Sequence, residues 1–190
     1  MLYGNKIWGP KAWHLLHAFS INNLLEISNK KKHYYYIFYT SFIYILPCII
    51  CSKHYSDIIY YINPLIESEI TREYLIEWVY NTHNIVNEVL DKELYPYEKL
   101  DKEYIINHDD IFFILKFTYL SIDFTNISLF NYDQIYNFFL YFCLLYPNIK
   151  IKKKLKKIIR SIEFKKIETP NQFNNWFKTI FIKKIKSFEI

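Results

Sequence analysis

Hydrophobic positions recur along the chain at helical spacing rather than in strict alternation, which predicts helices joined by short polar breaks. Over residues 8–25 the turn Trp8-Gly9-Pro10 leads into Trp13, Leu16, His17, Ser20 and Leu24 on one face. Lys30-Lys31-Lys32 reads as the loop that follows. Residues 33–46, rich in Tyr and Phe, predict a second helix that ends at Pro47, because the residue before a proline is pushed out of the helical region. A third helix, over residues 48–62, places His54, Tyr55 and Ile58 on successive turns and is closed by Asn63-Pro64. Thr71-Arg72-Glu73 opens a fourth, which contains Trp78, Asn81, His83, Asn84 and Asn87. Asn is a poor residue inside a helix without a local reason, so Asn84 and Asn87 beside His83 predict a ligand-facing stripe. The expected fold class is all-α.

Composition agrees. Of 190 residues, 52% are hydrophobic and 21% aromatic, enough for a substantial core, whereas 2 Gly and 6 Pro are too few for a turn-rich β fold. Met1 to Trp13 carries no apolar leader segment, and no run of 18 apolar residues exists, so we expect a soluble protein made in the cytosol, with no membrane span. Charge is uneven. Residues 1–107 hold 10 Lys+Arg against 12 Asp+Glu, a balance of −2; residues 108–190 hold 14 against 7, a balance of +7, and the two sum to the net +5. That shift predicts a boundary near residues 107–109, dividing the chain into units 1–107 and 108–190.

The chemistry concentrates in Pro47-Cys48-Ile49-Ile50-Cys51-Ser52-Lys53-His54, in a chain of 3 cysteines. A CxxC at a helix start can close a small disulfide ring whose thiolate form the helix amides stabilise. Cys48 would then be the outer, attacked sulfur and Cys51 the inner one. The same spacing is half a zinc site, which His54 and His83 could complete as Cys48, Cys51, His54 and His83 in a zinc-stabilised interaction module. On spacing alone the two readings stand about level. Trp13 and His17, four residues apart, project side by side, although a lone histidine on an apolar face is more often a core residue.

Three segments together resolve the tie. Trp8-Gly9-Pro10-Lys11-Ala12-Trp13-His14-Leu15-Leu16-His17, then Leu46-Pro47-Cys48-Ile49-Ile50-Cys51-Ser52-Lys53-His54-Tyr55, then Trp78-Val79-Tyr80-Asn81-Thr82-His83-Asn84-Ile85-Val86-Asn87 resemble, in order, the Erv/ALR family of FAD-linked sulfhydryl oxidases. The resemblance covers about residues 5–100 and implies a four-helix bundle holding FAD noncovalently against the CxxC. It implies that Gly9, Trp13 and His17 line the cofactor, with Tyr39 from the second helix. Cys51 and His54 would meet it at the redox turn, and His83, Asn84, Val86 and Asn87 would hold its adenosine side, with Lys92 directed at phosphate. Indole and imidazole planes suit stacking on flavin and adenine, and a lysine offsets pyrophosphate charge. The implied activity makes disulfides in partner proteins, with oxygen as acceptor and hydrogen peroxide as product. Only Cys143 remains beyond the CxxC, so there is no internal shuttle pair; electrons would come directly from a thiol-containing substrate or a thioredoxin-like partner. This trimmed form is similar to the enzymes of large DNA viruses, which implies the host-cell cytoplasm and the virion as locations.

Residues 108–190 show a fainter pattern. Offset by 100, Trp13 to Phe19 falls on Phe113 to Tyr119, Phe38-Tyr39 on Phe138-Phe139, and Leu46-Pro47 on Tyr146-Pro147; with two residues deleted, Trp78 falls on Trp176. Cys48, Cys51 and His54 become Asn148, Ile151 and Lys154, while His83 and Asn84 become Phe181 and Ile182. We read the segment as a degenerate copy of the first, packed on it as an internal pseudo-dimer, with a simple helical extension as the rival; a homodimer paired through the first unit stands as the alternative to the internal pseudo-dimer. Cys143 lies in an apolar run and is expected to be a buried thiol. In the basic run 150–157, Ile151, Leu155, Ile158 and Ile162 share one face, which reads as an amphipathic helix with a solvated basic rim rather than a nucleic-acid surface.

Overall fold

The structure, a computed structural model, describes residues 5–22, 26–46, 48–100, 129–160, 169–176 and 178. Its α-helices are α1 (Asn5–Ile21), α2 (Asn29–Ser41), α3 (Ile49–Asp57), α4 (Arg72–Val89), α5 (Leu129–Leu145), α6 (Ile149–Arg160) and α7 (Pro170–Trp176). No strand occurs among the described residues, so the expected all-α class holds. Among them, too, no helix is long and apolar enough to cross a membrane.

The helix limits differ from expectation at several points. α1 begins at Asn5, ahead of the expected turn, and takes Pro10 inside it. Lys30, Lys31 and Lys32 are not a loop: they form the first turn of α2, and the Lys32 ammonium donates to the Ser68 carbonyl at 2.6 Å. α2 ends at Ser41 and passes into a tighter turn, Phe42–Ile45, before the CxxC. α3 gives way to a π-turn at Ile58–Ile62, whose register is marked by the Asn63 N–H donating to the Ile58 carbonyl at 2.8 Å. The placements of Pro47, Leu24, Ile162 and the boundary at 107–109 lie outside the described residues.

One buried core runs through both parts of the chain. α1 packs on α4 and α2 packs on α5, which in turn carries α6. Phe19 stacks on Phe38 at 4.7 Å between ring centres and lies 5.4 Å from Phe142; Phe38 stacks on Phe138 at 5.1 Å. Every one of these rings is essentially inaccessible, and burying each contributes roughly 2–3 kcal/mol of transfer free energy. Cys143 is fully buried in the same core, as expected, and burial raises its thiol pKa.

Hydrogen bonds fix the scaffold under the CxxC. The Tyr39 hydroxyl donates to the Leu16 carbonyl at 3.1 Å, tying α2 to α1, and the Tyr55 hydroxyl donates to the Tyr39 carbonyl at 3.2 Å, tying α3 to α2. Ser52 Oγ donates to the Ile43 carbonyl at 2.8 Å. Asn63 and Trp78 exchange bonds: the indole N–H reaches the Asn63 carbonyl at 2.8 Å, and the Asn63 amide reaches the Trp78 carbonyl at 3.2 Å and Thr82 Oγ1 at 3.0 Å. The Thr71 hydroxyl caps α4 by accepting from the Tyr74 N–H at 3.1 Å.

Candidate active site

Cys48 and Cys51 are joined in a disulfide, with their Cα atoms 5.2 Å apart. Cys48 is the N-cap of α3, with extended backbone, and its Sγ accepts a hydrogen bond from the Cys51 N–H at 3.2 Å. That is the arrangement the CxxC spacing favours: a sulfur at the mouth of a helix, facing amide dipoles that stabilise negative charge on it.

Beside the disulfide lies a cavity of about 500 Å³. Its walls come from α1, α3 and α4 and from the segment after α4. Gly9 and Trp13 contribute from α1, Cys51 and His54 from α3, and His83, Val86 and Asn87 from α4, with Lys92 beyond it. Cys51, not Cys48, is the sulfur-bearing residue on the wall. A methyl placed on Gly9 would meet no protein atom within 4 Å, so protein packing does not demand glycine there.

The far wall is built of stacked planes. Trp13 and His83 lie parallel at 4.1 Å between centres, 12° apart, and Tyr95 stacks on His83 at 5.4 Å and 17°. Behind them His17 Nε2 and His83 Nδ1 share a hydrogen bond of 3.1 Å. Burial, helped by the nearby Lys92 charge, lowers the His83 pKa to about 4. Burial, then His83, then His14, holds His17 well below the ordinary value. Both rings are therefore neutral at pH 7, because burial disfavours the charged form.

Three expected site residues stand apart from the cavity. His17 is wholly buried behind the Trp13–His83 wall and acts on it through His83. Tyr39 is buried between α1 and Trp78 and its hydroxyl is engaged with Leu16. Asn84 gives both ends of its amide to the Tyr95 backbone, accepting from its N–H at 2.7 Å and donating to its carbonyl at 3.2 Å. Of the expected polar stripe, then, Asn87 faces the cavity and Asn84 clamps the loop that supplies Tyr95.

Tyr95 was not legible in the pattern, nor were Trp8 and His14 as wall residues. Tyr95 arrives by a chain reversal: Asp91 takes a φ of 51°, the Lys92 N–H donates to the Asn87 carbonyl at 2.9 Å, and the Asp91 N–H to the Glu88 carbonyl at 3.1 Å. The one available signal was an Asp at a helix end, where this left-handed conformation is tolerated.

The zinc reading is corrected here. Sulfurs bonded to each other cannot serve as thiolate ligands, and His83 is committed to Trp13 and His17. Among the described residues no group of three or more His, Cys, Asp or Glu could hold a metal ion.

A helical scaffold that presents a helix-capping disulfide to an aromatic cavity defines the class of protein: a helical dithiol/disulfide protein with a planar-ligand pocket. The Erv1/Alr family model matches residues 10–105, and the chain belongs to that family. It is also similar to the "Probable FAD-linked sulfhydryl oxidase" of Acanthamoeba polyphaga mimivirus, 32% identical over 93 residues. That match covers 47% of this chain and 63% of the relative, so the chain spans less than two thirds of that protein's length. No solved structure matches.

Proposed function

We propose that the protein is an FAD-dependent sulfhydryl oxidase that introduces disulfide bonds into partner proteins. The observation that carries this reading is Cys51 on the wall of the aromatic cavity, disulfide-bonded to a Cys48 that caps the same helix. The cavity suits FAD. Trp13, His83 and Tyr95, stacked on one another, give the cavity an aromatic wall suited to a planar ring system, Lys11 and Lys92 offer cations for a pyrophosphate, and Asn87 offers a buried amide. The open space around Gly9 leaves room for close approach of a ligand to the backbone. When bound, FAD supplies a two-electron acceptor for reduced thiols and a route from them to molecular oxygen, giving hydrogen peroxide.

The residues divide the work as follows. A substrate thiolate attacks Cys48 Sγ; the Cys48–Cys51 bond breaks and Cys51 departs as the thiolate, leaving a mixed disulfide between substrate and Cys48. The second substrate thiol, deprotonated, attacks the substrate sulfur of that bond. Cys48 then leaves as a thiolate opposite the α3 amides that stabilise it. The substrate has lost two electrons and two protons, and the cysteine pair holds the electrons with Cys51 at the cavity wall. Gly9, Trp13, His54, His83, Val86, Asn87 and Lys92 hold the cofactor; His17 orients His83, Asn84 fixes Tyr95, and Tyr39 supports α1 from beneath.

We read α1 to α4 as the four-helix bundle of the family and residues 108–190 as its degenerate copy. Two features support the copy. Phe38 stacks on Phe138, residues that the offset of 100 equates, as a residue on a pseudo-two-fold axis meets its own counterpart. α6 also opens as α3 does: Asn148 Oδ1 accepts from the Ile151 N–H at 3.1 Å, where Cys48 Sγ accepts from the Cys51 N–H. In this reading the electron donors are thiol proteins or a thioredoxin-like shuttle. We place the protein's work in the host cytoplasm, with the virion as a further location.

The test is the visible spectrum of the purified protein, repeated with a dithiol under exclusion of air. A flavin spectrum that bleaches with dithiol and returns in air is the expected result. A colourless protein that takes up no added FAD would overturn the proposal.

A further inference from the structure

The two residues between the cysteines are the most unusual part of the surface at the redox centre. Ile49 is 86% exposed and Ile50 62% exposed, and they are the first two residues of α3. Nothing in the packing of α3 requires isoleucine there, since the helix is anchored through Tyr55 and Ser52 on its other side. No Asp, Glu, Lys or Arg occurs from Tyr34 to Ser52, so the approach to Cys48 along the chain carries no formal charge.

The exchange chemistry determines what must lie over these side chains. In a mixed disulfide the two Cα atoms are about 5.5–6 Å apart. Successive Cα atoms along a chain are about 3.8 Å apart. The residues flanking a substrate cysteine bonded to Cys48 therefore come within reach of the exposed side chains around Cys48, among them Ile49 and Ile50 at the start of α3.

Resting on the oxidase reading, we propose that Ile49 and Ile50 form an apolar docking platform that selects substrate thiols carried on accessible segments with an apolar residue next to the cysteine. The platform acts on binding of the segment and leaves the sulfur exchange itself to Cys48. Small dithiols, which have no flanking residues, gain nothing from it. Peptides with polar flanks must strip water from their own polar groups against isoleucine and gain little.

The test uses the full chain and two cysteine peptides, one with Leu and Val beside the cysteine and one with Ser in both places. Each is activated as its disulfide with thionitrobenzoate. In a Cys51→Ser variant the free Cys48 thiolate attacks the peptide sulfur and expels the coloured thionitrobenzoate, a step that needs neither flavin nor oxygen; Cys143 is buried and does not compete. The apolar peptide is expected to be captured at least tenfold faster. Adding Ile49→Gln and Ile50→Gln should bring the two rates within about twofold. Equal capture of both peptides before those changes, or a preference that survives them, overturns the platform. A parallel measurement follows oxygen uptake by the FAD-loaded enzyme with dithiothreitol. Uptake that Ile49→Gln with Ile50→Gln leaves within about twofold supports a docking role. Uptake that falls in proportion to peptide turnover overturns it, because the isoleucines would then be acting on the disulfide itself. Wild-type protein that consumes no oxygen with dithiothreitol sinks the oxidase reading, a failure the capture rates alone would not produce.

Discussion

Two helix starts in this chain share a design and differ in the capping side chain. α3 and α6 begin 100 residues apart, at Ile49 and Ile149, and each follows a capping residue whose side chain accepts from the N–H three residues on. The backbone agrees as well: the Ser52 N–H donates to the Cys48 carbonyl at 2.9 Å and the Lys152 N–H to the Asn148 carbonyl at 2.8 Å. At Cys48 the cap is a sulfur bonded to Cys51; at Asn148 it is an amide oxygen, and Ile151 is turned into the core. The scaffold that makes a sulfur reactive is thus an ordinary capped helix. Redox capacity depends on which atom occupies the cap and on whether a cavity lies behind the third residue.

The largest effect that would separate the two halves is on turnover. Cys51→Ser should lower thiol-dependent oxygen uptake by at least a thousandfold while the flavin spectrum persists, and retained uptake would show that electrons do not leave through Cys51. Phe138→Ala removes the ring that stacks on Phe38 at the junction and should destabilise the protein by about 3–4 kcal/mol in chemical denaturation. If the halves were independent units merely tethered, that loss would be confined to a second transition; a single cooperative loss is expected from one continuous core.

How far this was legible in the sequence differs between the halves for physical reasons. In the first, apolar spacing placed four helices because each has a strong break beside it, such as Asn63-Pro64 or the Thr71 cap. The redox pair and the Trp13, His83 wall were legible through the three ordered segments that resemble the family; spacing alone left dithiol and zinc chemistry level. Tyr95 was not, since its position depends on a left-handed Asp91 and a clamp from Asn84, neither of which leaves a periodic signal. Lys30 to Lys32 misled for a related reason: lysines suit an exposed helix turn as well as a loop, and tertiary packing of α2 decided between them. In the second half the apolar skeleton could be read, but a cap such as Asn148 has no chemistry to announce it.

Acid should also act on the two halves unequally. The chain's 6 histidines include only His108 in the second half. His83 has a folded pKa of about 4 against an ordinary value of about 6.5, so between those values the unfolded chain binds the extra proton. Stability is therefore full above about pH 6.5 and falls as the pH is lowered toward 4, with His17 adding in the same direction. The slope is about 1.4 kcal/mol per pH unit for one such group, so His83 alone gives roughly 3–3.5 kcal/mol across the whole interval. Denaturation midpoints at pH 7 and pH 5 would measure it, and His83→Gln should flatten the difference; an unchanged slope would place the sensitivity elsewhere.

The smallest effect is the most direct test of the shared helix start. Asn148 caps α6 by accepting from the N–H groups of Lys150 and Ile151 at 3.0 and 3.1 Å, and it has no redox partner. Asn148→Ala should cost about 1 kcal/mol, the usual value of a lost cap, with thiol oxidation per folded molecule unchanged. At α3 the same truncation, Cys48→Ala, removes a cap of similar geometry, the attacked sulfur and the Cys48–Cys51 bond together, so its stability cost should exceed that of Asn148→Ala while turnover is abolished. The pair of variants separates what a cap contributes to a helix from what a sulfur contributes to chemistry. A loss of activity from Asn148→Ala beyond the loss of folded protein would mean that the second half acts on the redox site rather than only covering α2. An Asn148→Ala cost near zero would instead mean that α6 is held entirely by its buried face, Ile151, Leu155, Ile158 and Ile159, and that the likeness of the two caps carries no energetic weight.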